Sequence, residues 1–191
     1  MIPTLAEIKT NLGDALQYMR FNGAQITQTT VNTEVFWKSF FAAVLCIPGT
    51  IYLTIAQPLE PEPTVDLFAL FLIDSLFYII NWIAYPVMMH LLLLLHKKEG
   101  RFGLFIIHYN WLQVWQSLVF VGLFFILQTD LLPAALASFV SLISLIYILA
   151  AQAHMTRTTL ETGWFAASAF VIFNIVLAQA IHALNQDMMY L

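Results

Sequence analysis

Five apolar runs, each near the length of about 20 residues that carries a helix across a hydrocarbon core, dominate this 191-residue sequence. They fall near 35–56, 67–95, 103–127, 131–153 and 164–184. Runs of this kind leave few structural options. Inside lipid every backbone amide and carbonyl must be satisfied within its own segment, so each run is expected to be a helix. Composition agrees: 61% of residues are hydrophobic and 9% charged, against roughly a quarter charged in a soluble domain, and the mean hydropathy is +0.82. The expected fold is all-α, a polytopic membrane bundle of five transmembrane helices over 34–191, preceded over 1–33 by a cytoplasmic amphipathic helix and connector.

The stretches between the runs are too short for a separate domain, and Pro58, Pro61 and Pro63 make the first of them extended. Pro48, followed by Gly49, and Pro86 each predict a kink through a lost backbone hydrogen bond. No internal repeat is visible, and five spans do not divide into two equal inverted halves. That weighs against the commonest secondary-transporter architecture.

Direction follows from the basic residues, which resist translocation far more than acidic ones. All seven Lys and Arg lie on one side. Lys9, Arg20 and Lys38 precede or begin the first span, Lys97, Lys98 and Arg101 fill the second loop, and Arg157 sits in the fourth. These segments are expected in the cytoplasm and the C-terminus on the far side, where Glu60, Glu62, Asp66, Asp130 and Asp187 lie. A net charge of −4, with no basic cluster interleaved with aromatics, speaks against nucleic acid as a partner. Cys46 is the one cysteine, so no intrachain disulfide forms. Residues 1–33 lack the basic stretch and apolar core of a cleaved signal peptide, and the first span is expected to serve as its own insertion signal.

Leu5, Ile8, Leu12, Ala15, Leu16 and Met19 repeat at helical spacing along one face. Thr4 with Glu7 reads as a capping box and Asn22-Gly23 as the stop. The polar face carries Glu7, Lys9, Asp14 and Arg20, whose charges cancel. Such a helix lies on the membrane, caps the bundle or packs on another protein.

Polar residues inside the spans are costly and mark candidate sites. In the second span Asp74, Tyr78, Asn81 and Tyr85 share one face. In the third, Tyr109, Asn110, Gln113, Gln116 and Ser117 lie within an arc of about 120° at 100° per residue. In an antiparallel hairpin with a rise of about 1.5 Å per residue, Asn81 is level with Gln116 and Ser117, and Tyr85 with Gln113 and Asn110, so hydrogen bonds across the hairpin are expected. Asp74, roughly 10 Å from the midplane by the same rise, is level with Gln179 and His182 of the fifth span, with Asn174 nearer the centre. Gln179 or His182 is its expected partner. In the fourth span Ala134, Ala137, Ser138, Ser141 and Ser144 form a small-residue surface expected to bond across helices.

Two histidines at matching depth on facing helices would suit haem or a metal. His90, His108 and His154 lie toward the cytoplasmic half, but His90 is rotated about 180° from Asn81 and His108 falls outside the polar arc of its span. No cofactor or metal is expected. Trp111, Trp115 and Trp164 read as interface anchors and packing rather than a quinone or base-stacking platform. No Gly-x-Ser-x-Gly, His-Glu-x-x-His or phosphate-cradling loop is present, so no catalytic residue is assigned.

Ile2-Pro3, Leu5, Glu7-Ile8, Leu12, Arg20-Phe21, Phe36-Trp37, Ser39-Phe40, Ala42-Ala43, Ala84-Tyr85-Pro86, Tyr109-Asn110-Trp111, Arg157 and Leu160 together resemble an uncharacterised alphaproteobacterial inner-membrane family. The resemblance runs over nearly the whole chain and implies a bacterial inner-membrane helical bundle. In topology alone, five spans with an inward N-terminus also resemble the Yip family, whose eukaryotic members interact with Rab-type GTPases; no binding residue carries over from it. Absent chemistry and extensive packing surfaces lead to the expectation of a non-enzymatic scaffold or accessory subunit. Its partners are the lipid bilayer and other membrane proteins or further copies of itself. The alternative is a small proton-coupled transporter or channel using Asp74 and the stripes of spans two and three; a haem-bearing redox protein is a third.

Overall fold

The computed structural model describes residues 2–22, 29–56, 63–129 and 132–190. The elements are α1 (Leu5–Met19), α2 (Thr33–Ser39), α3 (Phe41–Ala56), α4 (Leu67–Leu95), α5 (Phe102–Leu127), α6 (Ala134–Leu160) and α7 (Trp164–Met189), with a short 3₁₀ turn at Glu99–Arg101. The protein is an all-α membrane bundle. Among the described residues five helices are long and apolar enough to cross a membrane, the first being α2 and α3 together. Both α3 and α4 continue through their internal prolines, Pro48 and Pro86.

The fourth and fifth spans run further than their apolar stretches, to Leu160 and Met189. Hydropathy falls where α6 turns polar, but the helix continues, with the hydroxyls of Thr156, Thr158 and Thr159 satisfied on the Gln152, His154 and Met155 carbonyls of the preceding turn. It stops at Glu161, which adopts the left-handed conformation (φ 47°). The α4–α5 turn then closes this end. Lys98 Nζ donates to the carbonyls of Leu160 and Glu161 at 2.8 and 2.9 Å, placing a cation on the negative pole of α6, and Arg101 pairs with Glu161.

α5 is the central helix, touching α1, α2, α3 and α6, while α7 packs on α4 and α6. Direct contact within the α4–α5 hairpin is slight, because α7 takes the inner face of α4 and α3 takes that of α5. The core is concentrated at the α1 end. Tyr85, Met89 and Leu93 of α4 meet Phe105, Ile106, Tyr109 and Leu112 of α5, Ala151 and Met155 of α6, and Tyr18 and Met19 of α1. Toward the far end α6 turns Leu136, Phe139, Leu142 and Ile143 outward, as suits a lipid-facing helix. Ser138 and Ser141 bond to Ala134 and Ala137 carbonyls of their own helix. The expected interhelical hydroxyl bonds are therefore not what these serines make, since each side chain satisfies itself one turn back.

α1 caps the bundle. Its start carries the expected capping box between Thr4 and Glu7. At its end Phe21 takes the left-handed position (φ 55°). The amides of Phe21 and Asn22 reach back to Tyr18 and Gln17 carbonyls at 3.0 and 2.9 Å, a Schellman closure that usually takes glycine. Gly23 lies outside the described residues. Ring contacts to Tyr147 and His154, with centroids 6.0 and 5.6 Å away, hold Phe21 in place.

The buried face of α1 is spent within the chain. Ala15, Tyr18 and Met19 are buried, Trp115 Nε1 donates to the Leu12 carbonyl at 2.9 Å, and Tyr147 donates to the Met19 carbonyl at 2.6 Å. Glu7 pairs with Lys38 at 2.8 Å, and Lys38 also holds Glu34 at 2.7 Å. The Lys38 hydrogen bond, followed by those from Thr4, lowers the Glu7 carboxyl from 4.5 to about 2. A depressed carboxyl contributes its stabilisation above the ordinary value and loses it as pH falls through the folded one. Docking of α1 should therefore hold above pH about 4.5 and weaken between there and about 2. Tryptophan emission followed against pH checks this, and Glu7→Gln should flatten that step.

Candidate functional site

The polar stripes of α4 and α5 meet at a cleft of about 460 Å³. α5 supplies Tyr109, Gln113, Gln116 and Ser117, then Phe120, Leu123, Phe124 and Leu127; α4 supplies Tyr78, Asn81 and Trp82; α7 supplies Asn174 and Ala178. The remaining wall comes from α3, through Cys46, Thr50 and Leu53. Sequence reasoning missed α3 here. Its signal was the small and polar face Cys46, Gly49, Thr50 and Leu53 at three- and four-residue spacing in an otherwise apolar helix.

The cleft is closed at the α1 end by a ladder of rings. Tyr85 stacks on Tyr109 with centroids 4.7 Å apart, tilted by 42°, and Phe105 lies under Tyr109 at 6.0 Å. The Tyr109 hydroxyl donates to Asn174 Oδ1 at 3.4 Å and accepts from Gln113 Nε2 at 2.8 Å. Tyr85 donates to the Phe170 carbonyl at 3.4 Å, and Tyr78 to the Ala43 carbonyl at 2.6 Å. The bonds expected between Tyr85 and the amides of α5 thus give way to a stack on the Tyr109 ring and a bond to α7. At this level the two rings themselves fill the space between the helices, and the Tyr85 hydroxyl turns to the α7 backbone.

Gln116 is buried at 6% exposure, and its Nε2 has no hydrogen-bond partner among the described residues. A buried donor without an acceptor costs about 1–3 kcal/mol. No carboxylate, amine, guanidinium or imidazole lines the cleft among the described residues. The site can hold a polar, uncharged group, and its titratable side chains are the phenols of Tyr78 and Tyr109 and the thiol of Cys46.

Other candidates fall elsewhere. Asn110 turns to α2 and donates to Ser39 Oγ at 2.9 Å. Asp74 accepts from Asn185 Nδ2 at 3.1 Å, whereas Gln179 and His182 point outward. Depth alone suggested those two; rotation decides otherwise. At about 100° per residue Asn185 lies about 20° from Asn174 on the inner face of α7, while His182 and Gln179 are about 80° and 140° away. Asp74 lies outside the cleft lining. If its role is to tie α4 to α7, Asp74→Leu removes an interhelical bond worth about 0.6 kcal/mol, and denaturant unfolding in bicelles should show a loss of about that size; unchanged or raised stability would show that the bond does not hold the two helices together.

His108 and His154 are buried, although His108 lies off the polar cleft. α1 is the reason. Tyr18 stands edge-on to both rings, with centroids 5.4 and 6.2 Å away, and Thr29 hydrogen-bonds His108 Nε2 at 3.2 Å. His90 faces outward and meets Phe102. Among the described residues no three His, Cys, Asp or Glu side chains converge as a metal site.

Comparisons with protein-family models, with curated proteins and with solved structures return no match.

Proposed function

We propose that this chain is a non-enzymatic accessory protein of a bacterial inner membrane that binds a molecule in the α3–α4–α5–α7 cleft. The N-terminus then lies in the cytoplasm and the C-terminus in the periplasm. One observation carries the reading: a neutral polar cleft with a buried, unpartnered Gln116 amide. Orientation rests on the gathering of all the Lys and Arg residues at the α1 end. The apolar surface remains available for other membrane proteins or a second copy, while α1 is occupied within the chain. Support for a proton-coupled carrier is weaker, since Asp74 stands off the cleft and bonds to Asn185.

The test uses protein purified from native membranes in mild detergent. Its bound lipids are extracted and weighed by mass spectrometry beside those of Ala178→Phe, whose ring occupies the cleft. An amphiphile enriched in the wild type alone is expected; identical profiles would sink the reading.

A further inference from the structure

We infer that the cleft receives a neutral lipid with a carbonyl-bearing head and an apolar tail, held head-inward near the middle of the membrane. This rests on the binding reading above and adds the chemical class of what is bound.

Charge sets the first limit. A charged head would enter a low-dielectric site without a counter-ion on its walls. Hydrogen bonding sets the second. The Tyr109 hydroxyl is already both donor and acceptor, whereas Gln116 Nε2 is a buried donor that no described residue satisfies. It selects an acceptor, which a carbonyl oxygen supplies.

Geometry sets the third. If Leu127 marks the far edge of a hydrocarbon core about 30 Å thick, the midplane falls near Ser117 at about 1.5 Å per residue. Polar lining groups occupy Tyr109 to Ser117, and beyond them α5 presents only Phe120, Leu123, Phe124 and Leu127, facing Leu53. The polar pocket is thus at mid-depth and its approach is apolar. A bilayer phospholipid has the reverse layout, with its head at the interface and its tails in the middle. Seated from the far leaflet, it would lay tails on amides and strand its head among Phe124 and Leu127. A neutral lipid is free to leave the interface, and its head and tail match the cleft in order. Access is lateral: outward of Tyr78, α4 contributes nothing to the wall beside α3, whereas the Tyr85–Tyr109 stack closes the other end. The volume of about 460 Å³ suits a ring-sized head.

The experiment places the full chain in phosphatidylcholine nanodiscs and titrates a benzoquinone bearing a ten-carbon tail, which quenches tryptophan. Trp82 lines the cleft as the reporter. Saturable quenching is expected in the wild type, weakened about three- to tenfold by Gln116→Leu through one lost hydrogen bond and abolished by Ala178→Phe. Thermal melting identifies any variant that fails to fold, and competition on the wild-type protein avoids variants altogether. Displacement of the quinone by dioctanoylglycerol upholds the broad carbonyl-lipid class, and failure to displace it upholds the class with the ring as a further requirement. A saturable site won by phosphatidylglycerol and ignored by both neutral probes would overturn the class while leaving the binding reading intact. Quenching that is unsaturable and equal in all three proteins also overturns it, and the lipid extraction described above then decides whether the binding reading survives.

Discussion

Tyr18→Ala should destabilise the protein by about 3–5 kcal/mol, the cost of truncating a large buried aromatic side chain. Tyr18 is 1% exposed and is the piece of α1 that fills the space between His108 and His154. Burial, with a smaller contribution from Asp14, pushes its phenol well above the ordinary value, so it is neutral under all working conditions. Its removal leaves a cavity and uncovers two imidazoles at once. Denaturant unfolding in detergent measures the first effect. Modification of His108 by diethyl pyrocarbonate measures the second and should change from slow to fast. Unchanged reactivity together with unchanged stability would mean that α1 does not seal this end.

Gly49→Leu should cost about 1–2 kcal/mol and loosen α3 from α5. A Cβ at this position would already stand 3.0 Å from Val121 Cγ2 and 3.1 Å from Ser117 Oγ, so the rest of a leucine side chain has no room. Overpacking costs about 1–3 kcal/mol, and the better helix propensity of leucine returns up to about 1. Because Ser117 lines the cleft, the same change should widen it. The expected pair of results is a lower unfolding midpoint and faster labelling of Cys46, which shares the α3 wall, by a small lipid-soluble maleimide. Stability equal to wild type would show that the helices part there at no cost.

The five spans were legible because a hydrocarbon solvent forces helices and a fixed minimum length, and both are written in hydropathy. The stripes of α4 and α5 were legible for the same reason, since Asn81, Gln113 and Gln116 have to turn from lipid. What periodicity does not contain is which surface covers which. The apolar face of α1 was evident from Leu12, Ala15 and Met19, yet nothing local marks Trp115 and Tyr147 as its receptors. His108 was placed outside the polar arc for that reason, although a helix from outside the five spans buries it. Asp74 shows the complementary failure. Counting residues from the membrane edge gave the depth of its partner, but the choice among Gln179, His182 and Asn185 depends on the rotation of α7, fixed by packing against α4. The unpaired state of Gln116 was also beyond reach, because an unmet donor is visible only once every neighbouring acceptor has been placed.

The docking of α1 across α5 and α6 also orders events during synthesis. Met19 is bonded by Tyr147, 128 residues further along the chain. At roughly 5–20 residues per second, about 6–26 s separate the translation of these two residues. Until the third span is made the first helix lacks Trp115, and it lacks Tyr147 until the fourth span has emerged. Its closure is therefore a late event that reports completed assembly, and a ribosome-bound chain arrested before α6 should leave α1 open to protease.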